Sequence, residues 1–154
     1  MLRRIIAFVV AAALMVIAGS ATHSFFVQRA WSNAVGMAEG GSPAAIPIGD
    51  RIAWAAHDLV GMIVGYSALT CIALLIAFLL AGALARFSGG RTLVFCIAGA
   101  AAIGVLFTVL RMVLGTVGIF GARGPMGLGG QMLVGLLAGL LFARLTPPRK
   151  AAPR

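Results

Sequence analysis

Four long apolar stretches constrain this chain more than anything else in it. They cover residues 5–27, 52–85, 92–120 and 126–145. A helix that crosses the ~30 Å hydrocarbon core needs about 20 mostly apolar residues at ~1.5 Å rise each, and every stretch meets that length. A membrane barrel would require alternating strands, and these runs do not alternate. Helices are therefore the only backbone that can hide its own polar groups in lipid here.

Composition agrees. Of the 154 residues, 62% are hydrophobic and 10% charged, against about 25% charged in an ordinary soluble domain. The mean hydropathy is +1.10. A surface that poor in charge has to face lipid. The expected fold is an all-α membrane protein with four transmembrane helices in an antiparallel bundle spanning residues 1–146. An outer loop is expected over 28–51, and residues 147–154 should form a disordered basic cytoplasmic tail near anionic headgroups.

Basic residues set the expected orientation. With four crossings, Arg3, Arg4, Arg86, Arg91, Arg144, Arg149, Lys150 and Arg154 share one side, while Arg29, Arg51 and Arg123 take the other. Positive residues accumulate on the cytoplasmic side, so both termini are predicted to face inward. A cleavable leader competes for the first stretch, because Arg3-Arg4, an apolar run and Gly19-Ser20-Ala21 resemble one. The run continues through Phe25, Phe26 and Val27, which favours a helix that stays. All but Lys150 of the twelve basic residues are arginine, and Ala and Gly are abundant; this association suggests a bacterial protein of the inner membrane.

Local signals refine the layout. Asp50 is placed to cap the second helix, and residues 30–37 suit a brief interfacial helix. Trp31 and Trp54 flank the outer loop as anchors at the membrane–water boundary. Ser88-Gly89-Gly90 makes a tight inner turn, Gly121 to Pro125 an outer one, and Pro147-Pro148 stops the last helix. No internal repeat of the kind found in many transporters is visible.

Helices in lipid associate through small residues that let backbones approach. Gly61 and Gly65 form such a pair on the second stretch, and Gly135 and Gly139 on the fourth. Gly104, Gly115 and Gly118 fall within about 60° of one another on the third. Plain bundle packing is the expected role of all seven.

The polar residues inside the spans are more informative. Asp58, Arg111, Gln131, His23 and His57 come from four helices, and all fall toward the outer half. Counted from the outer ends, His23, Asp58 and Gln131 lie roughly 6–8 Å deep and Arg111 about 13 Å deep. A lone charge at a span's centre costs ~2.5–3.5 kcal/mol, so an Arg111–Asp58 ion pair completed by Gln131 or a histidine is the natural expectation. Such a cluster is a binding or permeation site, a clasp that fixes helix register, or a contact with a polar group on a partner subunit.

Enzyme chemistry is not expected. The chain has three carboxylates, and His57 and Asp58 lie about 100° apart on a helix, so they cannot orient each other. No cofactor or metal site is assigned, although His23 and His57 could in principle ligate one haem from two helices. Gly127-x-Gly129 follows no strand and is not a nucleotide loop. Cys71 and Cys96 sit inside apolar stretches, outside any metal-type spacing, and read as packing residues. Despite a net charge of +9, no basic face interleaved with aromatics exists for nucleic acid. The leading functional expectation is a non-enzymatic accessory or structural subunit, with the lipid bilayer and other membrane subunits or its own copies as partners. An oligomeric small-solute or ion transporter is the alternative, and a bis-histidine haem or pigment carrier the third.

Overall fold

The structure is a computed structural model that describes residues 1–115 and 120–146. Among the described residues it is all helix. The elements are α1 (Leu2–Ala38), α2 (Ile48–Met62), α3 (Gly65–Leu84), α4 (Arg91–Leu114), a 3₁₀ turn (Phe120–Ala122) and α5 (Pro125–Leu145). Four of these, α1, α3, α4 and α5, are long and apolar enough to cross a membrane.

The second apolar stretch is two helices instead of one. The ladder loosens between them: Ile63 N–H reaches back only to Val60 O at 3.4 Å, and Ala68 N–H meets Val64 O at 3.4 Å. Ser67 Oγ also donates to the Ile63 carbonyl. Gly61 and Gly65 flank this point, and glycine with a back-bonding serine is a recognised cause of helix interruption. Hydropathy alone runs straight through, because Ile63 and Val64 are apolar.

The first helix is longer than its apolar run. It continues from Val27 to Ala38, absorbing the expected interfacial helix at residues 30–37 and shortening the outer loop to residues 39–47. A Schellman turn ends it. Gly40 adopts φ 71°, Gly41 N–H bonds Gly36 O at 2.9 Å, and Gly40 N–H bonds Met37 O at 3.3 Å. The chain then folds back on α1, with Ala44 N–H donating to Ser32 O at 2.9 Å. Pro47, not Asp50, is the N-cap of α2; Asp50 lies in the first turn, where its charge still favours the helix N-terminus.

At the other connection, α4 ends at Leu114 because Gly115 turns left-handed at φ 68°. The third stretch therefore stops short of residue 120, and Gly118 lies outside the described residues. Pro125 occupies the first turn of α5, a position where its missing N–H is harmless. The expected tail at 147–154 is also outside the described residues.

Helix α5 lies against both α1 and α4. Its contact with α4 is backbone on backbone. A Cβ added at Gly99 would sit 2.0 Å from Gly135 O, one at Gly135 would sit 2.4 Å from Gly99 O, and one at Gly139 would sit 2.0 Å from Phe95 O. Toward the arginine-rich end, Phe78 of α3 stacks on Phe142 of α5 with centroids 4.7 Å apart, and Phe95 of α4 meets Phe142 at 5.1 Å. Arg91 lies over the Phe95 ring at 5.0 Å, and Arg3 Nε donates to Leu145 O at 2.9 Å. The starts of α1 and α4 thus meet the end of α5.

Candidate functional site

The most enclosed polar side chain among the described residues is Gln131, fully buried near the start of α5. Burial of a primary amide in an apolar bundle requires partners at both ends. They are present. Tyr66 Oη, on the first turn of α3, donates to Gln131 Oε1 at 2.7 Å. Gln131 Nε2 donates to Gly19 O of α1 at 2.8 Å. Three helices are tied by one side chain. Gly19 makes room for this: a Cβ there would lie 2.0 Å from the Tyr66 hydroxyl.

Beside this knot, α1 carries a buried polar stripe at four-residue spacing: Ser20, Ser24, Gln28 and Ser32. Such spacing keeps side chains on one face. Gln28 Nε2 reaches both Ser24 Oγ at 3.1 Å and Arg51 O at 3.0 Å, and Ser32 Oγ donates to Ala44 O. The stripe thereby fastens the outer loop and the start of α2 onto α1. Ser20 differs, because its buried hydroxyl has no hydrogen-bond partner among the described residues.

His23 lies half-buried on an adjacent face of α1. Its Nδ1 accepts a hydrogen bond from Gly121 N–H at 3.1 Å. The 3₁₀ turn is pressed onto α1 at that point, since a Cβ at Gly121 would fall 2.7 Å from His23 Cα. Asp58 of α2 is half-buried.

The remaining predicted polar residues stand apart. Arg111 is exposed on the last turn of α4 and makes no ion pair with Asp58. The early stop of α4 explains this, because the guanidinium sits at a helix end, where a cation complements the terminal carbonyls. His57 is exposed on α2. Among the described residues no three His, Cys, Asp or Glu side chains converge on a possible metal position. Cys71 and Cys96 are free thiols.

The glycines divide similarly. Gly135 and Gly139 sit in the α4–α5 contact, and Gly104 would press a Cβ to 3.1 Å from Met132 Cε. At Gly61, Gly65 and Gly115 an added Cβ would meet nothing within 4 Å. Trp31 and Trp54 meet edge to face, with centroids 5.5 Å apart, and so join α1 to α2.

Sequence reasoning misses Tyr66, Gly19, Gly99 and the serine–glutamine stripe. The four-residue period from Ser20 to Ser32 is a signal that could have found the stripe. Tyr66 is hidden when 52–85 is read as one helix. No protein-family model matches this chain, and neither the curated proteins nor the solved structures include a match to it.

Proposed function

We propose that this chain is a non-enzymatic accessory or structural subunit of a bacterial inner-membrane complex. In this reading its four long helices cross the membrane as an antiparallel bundle with both termini in the cytoplasm. The collection of Arg3, Arg4, Arg86, Arg91 and Arg144 at one end supports that orientation. The close glycine contacts between α4 and α5 support a role in helix assembly.

One observation carries the functional reading. Gln131, the most fully buried polar side chain among the described residues, commits its amide oxygen and one amide N–H to Tyr66 and Gly19 of the same chain. A side chain engaged in this way holds helices in register. A solute site would present those groups to a cavity.

A second reading, an oligomeric transporter, is favoured by the unpartnered hydroxyl of Ser20 beside this knot. Cysteine labelling separates the two. With Cys71 and Cys96 changed to alanine, Ser20→Cys in native membranes should resist a membrane-impermeant maleimide and react after denaturation in detergent. Labelling in the native membrane would reveal an aqueous path and favour transport.

A further inference from the structure

Arginines crowd one end of the bundle with no carboxylate among them in the described residues. Arg91 donates from Nη1 to Ala143 O at 2.8 Å and from Nη2 to Thr146 Oγ1, which fixes its guanidinium at the junction of α4 and α5. Five N–H groups belong to that guanidinium, so donors remain for another partner. Arg3 Nε donates to Leu145 O, between the two residues that hold Arg91, so the start of α1, with Arg4 next to Arg3, meets the same helix end. Arg86, exposed, follows α3 in the turn to α4, and Arg144 is exposed on the last turn of α5. The chain's three acids, Glu39, Asp50 and Asp58, belong to the opposite end of α1 and to α2. Cations gathered without an internal counter-ion draw an anion from outside.

A groove of about 850 Å³ adjoins this end. It runs between α3 and α4, is walled by residues such as Ile76, Leu80, Ile97, Ala101 and Val105, and reaches Phe87 beside Arg86. From Leu69 to Leu84 it follows α3 for about 22 Å, more than the ~15 Å of one leaflet. It opens outward between two helices suited to crossing a membrane, where hydrocarbon is the solvent.

We propose that the arginine end and this groove form one site for an anionic phospholipid. The headgroup phosphate is held by Arg4, Arg86 and Arg91, and an acyl chain lies along the α3–α4 groove. This inference requires the membrane setting but not the accessory role. The charge selects the lipid, because a zwitterionic headgroup offers the arginines no net anion. Each basic residue near a headgroup contributes about fivefold in affinity, so Arg4→Gln with Arg86→Gln should weaken binding roughly 25-fold.

The test uses the full chain, delipidated in neutral detergent and titrated with phosphatidylglycerol or phosphatidylcholine under native mass spectrometry. Wild type should retain one phosphatidylglycerol in preference to phosphatidylcholine. The Arg4→Gln/Arg86→Gln variant should lose that preference while keeping its helicity, since both side chains are exposed. Ala101→Trp, which fills the groove without touching an arginine, should weaken retention independently. Equal retention of the two lipids by wild type would overturn the proposal. So would displacement of the lipid by inorganic phosphate, or a dimer that Ala101→Trp abolishes, which would make a second copy the occupant.

Discussion

The hydroxyl of Tyr66 donates to Oε1 of Gln131 at 2.7 Å across a sequence separation of 65 residues, with both side chains buried in the bundle. The same amide reaches Gly19 O on a third helix. Inter-helical hydrogen bonds in membranes average ~0.6 kcal/mol and reach ~1.7. Tyr66→Phe should therefore destabilise the protein by about 1 kcal/mol, and Gln131→Leu by about 1–3 kcal/mol because a buried hydroxyl is left unpaired. A double-mutant cycle read by detergent unfolding should return a coupling within ~0.6–1.7 kcal/mol. Additive effects would show that the bond does not hold the helices.

The glycines should not behave alike. Gly99→Ala and Gly139→Ala each drive a methyl into a backbone carbonyl of the facing helix and should destabilise by about 1–3 kcal/mol or more. Gly61→Ala enters open space within α2 and should be neutral, or stabilising by up to about 1 kcal/mol. Thermal unfolding in detergent ranks them. A Gly61→Ala loss as large as that of Gly99→Ala would contradict the packing described.

His23 serves as an acceptor for Gly121 N–H. His23→Asn can present a carbonyl oxygen near the same place, whereas His23→Leu cannot. Proteolysis of the α4–α5 connection should accelerate in the leucine variant and stay near wild type in the asparagine variant. An equal response would mean that shape alone matters at this position.

Arg111→Gln should change stability by no more than about 0.5 kcal/mol, because the side chain is exposed and unpaired with Asp58. A loss above about 2 kcal/mol, the scale of a broken buried network, would show that Arg111 has a buried partner. Unfolding midpoints in denaturant decide this.

Hydropathy makes the four long helices legible, since length and continuous apolarity suffice to specify a span. It cannot show the break near Ile63, because Ile63 and Val64 are as apolar as the helices on either side, and glycines and back-bonding hydroxyls like those beside the break also occur inside unbroken helices. Nor can it show the extension of α1 to Ala38, which is secured by tertiary bonds from Ser32 to the loop that follows and from Gln28 to the start of α2. The helical wheel puts Gln131, Gly135 and Gly139 on one inward face, where all three are buried. It also gives Arg111 an inward face, shared with Gly104, and counts its depth from a helix end at Phe120. Gly115 ends the helix first, and the depth expected of Arg111 is lost with that last turn.

The accessory role is tested most directly by native mass spectrometry of the protein extracted gently from its own membrane. The predicted result is co-purification with other membrane chains at a fixed stoichiometry, unchanged by Arg111→Gln. Recovery only as a monomer or as a homo-oligomer, free of other chains, would contradict that role and move solute transport to the front.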